Sequence, residues 1–175
     1  MSARDAVDWP ADIHAALSEA GLRQIAYVPD AGHARLIRLC AADAKMRMVP
    51  LTTEEEGVAL AAGAWLGGER AVLLMQSSGV GNCINMLGMM EACRFPLLMI
   101  VTMRGEFGEF NPWQVPMGRA TPGVLEQANV IVHRASEAAS VGAVVAGAAR
   151  LAFSSYQSVA VLLSQRLVGA KSFQK

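Results

Sequence analysis

The sequence predicts an α/β fold with three layers, in which a six-stranded parallel sheet is covered by helices on both faces. Helical and extended hydrophobic patterns alternate along the 175 residues. Several extended runs are continuously apolar, such as AVLLM at 71–75 and PLLMIV at 96–101. Such runs are typical of a parallel sheet, because crossover helices bury both of its faces.

The predicted helices rest on apolar spacing and on end signals. Residues 11–20 place Ile13 and Leu17 on one face, and Gly21 follows as a C-terminal stop. Thr53 is expected to cap the third helix, with Glu56 as its capping-box partner. The predicted helices span residues 11–20, 34–44, 53 to about 66, 82–93, 124–128 and 136–154.

The predicted strands are short apolar runs bounded by residues that interrupt regular structure. Pro29 ends the first strand and Pro50 the second. A small-residue turn is expected at 77–81, and a long irregular connection, rich in glycine and proline, at 103–122. The predicted strands span residues 25–28, 46–49, 71–75, 96–101, 130–133 and 159–163.

The composition excludes several classes of protein. Hydrophobic residues make up 53% of the chain and charged residues 17%, so it is not a disordered tail. Fifteen basic residues balance fifteen acidic ones, which argues against a nucleic-acid partner. The sequence shows neither the roughly 20 consecutive apolar residues of a membrane span nor a secretory signal. Together with three cysteines in no metal or disulfide spacing, this predicts a cytoplasmic protein with reduced thiols.

The low charge has two explanations that the composition leaves open. Either a second chain covers part of an unusually apolar surface, or small residues such as alanine lie exposed without a partner.

Candidate site residues are expected where ligands bind parallel α/β sheets, outside the carboxyl ends of the strands. Three glutamates, Glu54 to Glu56, open a helix directly after a strand, where the helix dipole alone favours acidic residues. Glu55 shares a helix face with the small apolar residues Ala59 and Ala62. We therefore expect Glu55 to enter a dry interface, where a carboxylic acid is suited to proton exchange.

The other groups of polar residues are weaker candidates for a functional site. Residues 77–82, SSGVGN, suit close approach of a ligand to the backbone, but they match neither the dinucleotide fingerprint nor the ATP phosphate loop. The histidines at 14, 33 and 133 lie in different elements without metal spacing, so no metal site is predicted on this chain. His33, just after the first strand, is a candidate to line a site.

Four segments in this order resemble the pyrimidine-binding domain of thiamine-diphosphate enzymes. They are TTEEEGVALAAGAWLGG at 52–68, VLLMQSSGVGNCINML at 72–87, EACRFPLLMIVTMRG at 91–105 and QVPMGRATPGVLE at 114–126. Within that superfamily they are most similar to sulfopyruvate decarboxylase α subunits, with phosphonopyruvate decarboxylases as relatives. The resemblance covers residues from about 20 to 165.

The resemblance implies a set of site residues. The family's glutamate, which binds the N1′ nitrogen of the cofactor's aminopyrimidine ring, is matched to Glu55. Further cofactor contacts are implied at Pro29, Ser78, Gly79 and Asn82, and substrate-pocket positions at Asp30, His33 and Gln114. Arg104 and Arg119 stay open between binding an acidic substrate and pairing with glutamates on the surface.

The resemblance also implies a partner. The whole chain, residues 1–175, is expected to be one pyrimidine-binding domain. It contains no GDG…N motif, so the diphosphate-binding domain, with its Mg²⁺, is expected on a separate β subunit. The implied activity of this α/β hetero-oligomer is decarboxylation of a small 2-oxo acid to CO₂ and an aldehyde. A carboligase resembling acetohydroxyacid synthase and a non-catalytic binding domain of the same fold remain alternatives.

Two departures from the sulfopyruvate decarboxylases bear on the substrate. Asp30 stands after the first-strand proline where those enzymes tend to have cysteine, and Thr53 stands where arginine commonly precedes the glutamates. The change in charge favours a less acidic 2-oxo acid than sulfopyruvate.

Overall fold

The computed structural model describes residues 7–169, which form alternating strands and helices. The strands are β1 Leu22–Tyr27, β2 Arg47–Pro50, β3 Arg70–Gln76, β4 Leu97–Thr102, β5 Ile131–Ala135 and β6 Ser158–Leu163. The helices are α1 Trp9–Glu19, α2 Ala34–Ala42, α3 Glu54–Leu66, α4 Ser77–Cys93, α5 Gln114–Gln127, α6 Val141–Ser155 and α7 Gln165–Val168. Short 3-10 turns precede α2 at Ala31–His33 and α6 at Ala138–Ser140.

The six strands form one sheet in the order β2-β1-β3-β4-β6-β5, and every neighbouring pair is parallel. The predicted six-stranded parallel sheet is therefore confirmed. The chain runs outward from β1 to β2 and then returns to the other side of β1 to form β3. This reversal opens a crevice between the carboxyl ends of β1 and β3, where α/β folds commonly bind ligands.

Two apolar layers enclose the sheet, as the continuously apolar strands predicted. Helices α1, α2 and α6 cover one face, and α3, α4 and α5 cover the other. In β3, Val72 and Leu74 face the first layer, whereas Leu73 and Met75 face the second. Both sides of the strand are buried, which explains the absence of polar alternation in its sequence.

The predicted turn at 77–81 is wrong, because α4 already begins at Ser77. Neither Gly79 nor Gly81 has a positive φ. Packing accounts for both glycines instead. A Cβ on Gly79 would lie 2.5 Å from the side chain of Glu54, and one on Gly81 would lie 3.2 Å from the Met117 sulfur.

The predicted irregular connection at 103–122 is too long, because α5 begins at Gln114 and extends over 14 residues. Pro116 lies in its first turn, where a missing N–H costs no helical hydrogen bond. Gly118 lets the helix touch the preceding segment, since a Cβ there would collide with the Arg104 carbonyl oxygen. The helix predicted at 124–128 is only the C-terminal end of α5.

One stretch among residues 7–169, Ala138–Ser155, has the length and composition of a membrane-spanning helix. It contains α6, whose side chains Val141, Val145 and Ala152 are fully buried against the sheet and α1. One side of the stretch therefore belongs to the core, and 33% of the stretch is buried in this chain.

Candidate active site

Several polar groups lie together at the carboxyl edge of the sheet, around Asp30. Its Oδ1 accepts a hydrogen bond from Gln76 Nε2 at 2.9 Å, and its Oδ2 accepts one from Thr102 Oγ1 at 2.7 Å. The Gly32 N–H also donates to Oδ2, at 3.1 Å. Asp30 thus ties together the carboxyl ends of β1, β3 and β4 at the crevice.

The same network continues into the first turn of α4. Ser78 Oγ donates to Gln76 Oε1 at 3.1 Å, while the amide nitrogen of Gln76 donates to Asp30. The two hydrogen bonds require opposite ends of the Gln76 amide, so they set its orientation. Asp30, Gln76 and Ser78 therefore form one chain of hydrogen bonds along the crevice.

Glu54 is the buried carboxylate of the site. The residue is 9% exposed, and its Oε2 accepts a hydrogen bond from Asn82 Nδ2 at 2.7 Å. Its carboxyl group lies against the backbone of Gly79, where a Cβ would come within 2.5 Å of the carboxyl carbon and of Oε1. Within residues 7–169, no hydrogen bond reaches Oε1, which leaves that oxygen available to a ligand.

The three glutamates at the start of α3 have different environments. Glu56 Oε2 accepts from the backbone N–H of Thr52 at 2.8 Å and of Thr53 at 3.4 Å, so it serves as the expected capping partner. Glu55 is exposed in this chain. Within this chain, Glu54 is the buried member of the triplet, and Glu55 lies on the surface that a second chain would cover.

Helical geometry explains this difference. Residues four and seven positions apart share a helix face. For Glu54 these are Val58 and Ala61, which are 0% and 3% exposed. For Glu55 they are Ala59, which is exposed, and Ala62, which is 6% exposed. The signal for burial of Glu54 within this chain is therefore its spacing to Val58, the larger apolar residue.

Pro29 and His33, two further predicted site residues, lie on either side of Asp30 in the chain. Pro29 is exposed and shares a shallow apolar concavity with Tyr27 and Asp30. His33 is 0% exposed, and its Nε2 donates to the carbonyl oxygens of Met75 at 3.2 Å and Ile100 at 3.1 Å. Burial lowers the pKa of His33, so the structure places a neutral imidazole behind the crevice rather than on its surface.

Gln114 is the first residue of α5 rather than part of a loop. Its side-chain Oε1 is buried and has no hydrogen-bond partner among the described residues.

The structure shows the partner of one of the two candidate arginines. Arg104 is 8% exposed, and its Nε and one terminal nitrogen each donate to Glu109 at 2.6 Å. This pairing holds the pKa of Glu109 at about 2. Arg104 is thus neutralised by Glu109, while Arg119 lies exposed on α5.

The donors and acceptors at this edge suit an uncharged nitrogen-containing ring better than a metal. In the part of the chain that the structure describes, no three His, Cys, Asp or Glu side chains group in a way that could hold a metal ion. Burial and the charges of Glu54 and Glu55 raise the pKa of the Cys83 thiol to about 12, so it is not a thiolate nucleophile. What the site offers is a buried carboxylate beside an amide, a hydroxyl and the backbone of Gly79.

Comparison with known proteins identifies the family of this chain. The family model described as thiamine pyrophosphate enzyme, N-terminal TPP binding domain, matches residues 11–107. The sulfopyruvate decarboxylase subunit alpha of Methanothermobacter thermautotrophicus is 40% identical over 120 residues, which cover 68% of this chain and 73% of that protein. The phosphonopyruvate decarboxylase of Streptomyces viridochromogenes is 38% identical over 118 residues, covering 66% of this chain but only 30% of that protein.

A solved structure shows the same fold. The 2-oxoglutarate:ferredoxin oxidoreductase from Magnetococcus marinus superposes with a TM-score of 0.77 over 91% of this chain and 29% of its own, at 18% identity. The resemblance inferred from the four sequence segments is confirmed by the family match and by the relatives. The chain therefore belongs to the thiamine pyrophosphate enzymes, and residues 11–107 match their N-terminal cofactor-binding domain.

Proposed function

We propose that this chain is the α subunit of a thiamine-diphosphate-dependent decarboxylase, which converts a small 2-oxo acid to CO₂ and an aldehyde together with a β subunit. The names of the curated relatives support the decarboxylase class expected from the sequence. The observation that carries the proposal for this chain is the buried carboxylate of Glu54, held by Asn82 at the carboxyl edge of the sheet.

The residues at the crevice fit the pyrimidine half of the cofactor. Gly79 lets the Glu54 carboxyl group lie directly against the backbone of α4, since a Cβ there would come within 2.5 Å of it. When bound, thiamine diphosphate supplies the carbon nucleophile that attacks the 2-oxo acid and the electron sink that makes loss of CO₂ possible. The protein's part is to bind, orient and exchange a proton.

Glu54 is the proton-exchanging group in this proposal. Asn82 engages Oε2, so Oε1 is left to share a proton with the N1′ nitrogen of the aminopyrimidine ring. A carboxylic acid in a water-poor site transfers such a proton without competition from solvent. The resemblance assigns this role to Glu55, which is exposed in this chain and whose charge acts on the Cys83 thiol of α4. Glu55 is therefore the alternative proton-exchanging residue, one that would become buried only when a second chain covers this edge.

The remaining predicted residues surround this group. Ser78 presents its hydroxyl at the first turn of α4, oriented by Gln76 and Asp30. Pro29 and Asp30 lie at the end of β1, where they share a shallow concavity with Tyr27. Gln114, at the start of α5, has a buried oxygen that is left without a partner and is available to a ligand.

The proposal needs a second chain to hold the diphosphate and its Mg²⁺. The sequence contains no GDG…N motif, and the match to phosphonopyruvate decarboxylase covers 30% of that longer protein. The relatives named subunit alpha are matched over 71% to 73% of their length, as expected if the other half is a separate polypeptide. We place the resulting hetero-oligomer in the cytoplasm.

The test is reconstitution. This chain is mixed with the GDG-bearing β polypeptide encoded in the same genome, with thiamine diphosphate and Mg²⁺, and supplied with sulfopyruvate, phosphonopyruvate, pyruvate and phenylpyruvate in turn. We expect cofactor-dependent release of CO₂ and aldehyde only when both chains are present. Because Asp30 adds negative charge to the crevice, a 2-oxo acid with a neutral side chain should be the better substrate. A hydroxyketone product would favour the carboligase alternative, and no turnover with any substrate would favour a non-catalytic domain.

A further inference from the structure

Three aromatic side chains lie exposed in one short stretch beside the candidate site. Phe107 is 43% exposed, Phe110 is 41% exposed and Trp113 is 84% exposed. Of the seven large hydrophobic side chains that are exposed within residues 7–169, these three fall within seven consecutive positions. We call residues 107–113 the aromatic segment. Clustering of this kind marks an interaction surface, whereas scattered single residues do not.

A buried ion pair holds the aromatic segment in place. Glu109 receives the bidentate Arg104 guanidinium, and Gln165 Nε2 donates to Glu109 Oε2 at 2.9 Å. The Gln165 Oε1 in turn accepts from the backbone N–H groups of Glu106 and Phe107, each at 2.9 Å. Asn111 N also donates to Glu109 Oε1, at 3.0 Å. The segment is therefore fastened to the ends of β4 and β6.

The two phenylalanine rings are oriented by cations. The Arg166 guanidinium lies 4.1 Å from the centroid of the Phe107 ring, and that of Arg104 lies 5.7 Å from the Phe110 ring. The backbone N–H of Trp113 donates to Asn111 Oδ1 at 3.1 Å, which holds in place the backbone that carries the indole ring. The aromatic groups thus stand on an ordered backbone, which lowers the entropy cost of docking.

The aromatic segment adjoins the proposed cofactor crevice. The Arg104 N–H donates to Ser77 Oγ at 3.1 Å, which joins the start of the segment to the first residue of α4. Trp113 directly precedes α5, whose Met117 side chain packs against Gly81 of α4. The first turn of α4 also carries Gly79, which contacts Glu54. The aromatic segment therefore lies beside the start of α4, the helix whose first turn contacts Glu54.

We propose that Phe107, Phe110 and Trp113 form the docking surface for the β subunit. The inference rests on the proposed function, because the chain that holds the diphosphate must lie against the same edge as Glu54. A rigid aromatic surface bordering an incomplete site fits this occupant, and tryptophan is the residue type most often dominant in binding energy. The complementary surface on the β subunit is expected to be an apolar pocket that accepts the indole ring.

The experiment measures the affinity of this chain for the GDG-bearing β polypeptide from the same genome, by sedimentation or calorimetry. The variant is Trp113→Ala, and the control is Leu66→Ala, which removes a side chain 73% exposed at the other end of α3. We expect Trp113→Ala to raise the Kd at least about tenfold and Leu66→Ala to leave it unchanged. Both positions are exposed, so circular dichroism and the thermal midpoint should match those of the unmodified chain.

Tryptophan fluorescence gives a second readout that does not depend on activity. The chain has three tryptophans, at 9, 65 and 113. Burial of Trp113 on adding the β polypeptide should shift the emission to the blue, and Trp113→Ala should abolish that shift. An unchanged Kd for Trp113→Ala, equal weakening by Leu66→Ala, or no association of the unmodified chains would each overturn the proposal. So would loss of self-association in Trp113→Ala with β binding intact, since the surface would then join two copies of this chain.

The docking surface and the proposed function fail in different ways. If the chains associate through Trp113 but release no CO₂ from any 2-oxo acid, the proposed function is wrong and the docking surface stands. If the pair is active and Trp113→Ala binds the β polypeptide normally, the docking surface is wrong and the proposed function stands.

Discussion

The carboxylate of Glu54 and the amide of Asn82 meet at 2.7 Å across the crevice of the sheet. Glu54 opens α3, which follows β2, and Asn82 lies in the second turn of α4, which follows β3. Since β1 separates these strands in the sheet, the hydrogen bond spans the end of β1 at the point where the strand order reverses. The contact brings a carboxyl group and the start of a helix together at the place where α/β folds bind their ligands.

Glu54→Gln is expected to lower kcat of the reconstituted enzyme by at least about a hundredfold, because the amide cannot exchange a proton with the pyrimidine ring. Its side chain keeps nearly the same shape, so association with the β subunit should not change. Glu55→Gln is the matched comparison, and if Glu54 is the proton-exchanging residue this variant should retain activity within about twofold. Steady-state decarboxylation assays compare the two. Inactivation by Glu55→Gln with normal activity in Glu54→Gln would restore Glu55 as the proton-exchanging residue.

Gly79→Ala is expected to impair activity without unfolding the chain. The added methyl group would lie 2.5 Å from the Glu54 carboxyl carbon, so Glu54 must move away from the crevice. Gly88→Ala in the same helix meets no atom within 4 Å. It should leave activity intact and stabilise the helix by up to about 1 kcal/mol. Activity assays and urea denaturation distinguish the two variants, and full activity in Gly79→Ala would contradict the placement of Glu54.

Stability should fall in acid as Glu109 is protonated. Its pKa is about 2 in the folded chain, mainly because Arg104 donates two hydrogen bonds to it, against an ordinary value of 4.5. Between these values the unfolded chain binds more protons, so the free energy of unfolding decreases as the pH falls from about 4.5 to about 2.

Removing the Glu109 charge tests this directly. Glu109→Gln leaves the buried Arg104 without its counter-ion, and we expect a loss of about 3–5 kcal/mol at neutral pH with a weaker dependence on pH below 4.5. Glu126→Gln, at an exposed position of α5, is the control and should behave like the unmodified chain. Urea denaturation at pH 7 and pH 3.5 gives the free energy of unfolding at each pH. If the unmodified chain and both variants lose equal stability between the two pH values, Glu109 is not the source of the acid dependence.

The buried His33 leads us to predict a second pH dependence of stability, nearer to neutral pH. Burial lowers its pKa below the ordinary 6.5, so the unfolded chain takes up the proton first. Stability should therefore decrease as the pH falls below 6.5. His33→Gln, whose amide nitrogen can still donate to the Met75 and Ile100 carbonyls, should flatten the change in unfolding free energy between pH 7.5 and 5.5. The unmodified chain is the comparison, and identical profiles in the two proteins would contradict the assignment.

The strands were predictable from the sequence because their signal is local. Continuous apolar runs such as 71–75 and 96–101 have few alternatives in a chain of this length, and each overlaps an observed strand. The family was also predictable, because four segments carry its pattern in order. Burial of α3 next to β1 and β3 explains why the glutamate triplet stood out as a candidate site.

The local sequence could not decide which of the three glutamates is buried. Successive residues on a helix differ by about 100° in direction, so the packing of α3 against Leu73 decides which carboxylate is buried within the chain. The start of α4 and the extent of α5 were missed for a related reason. Gly79 and Gly118 suggest a turn or a loop, yet both serve close contacts with distant residues, Glu54 and Arg104.

By itself, the amino-acid sequence determined the alternating strands and helices, the parallel sheet and the family, since these depend on apolar periodicity and on short motifs. Only the tertiary structure decided that Glu54 faces Asn82, that Arg104 is neutralised by Glu109 and that Trp113 stands exposed beside the crevice. Each of these depends on which side chains of distant segments come within hydrogen-bond or van der Waals distance, and packing determines that distance.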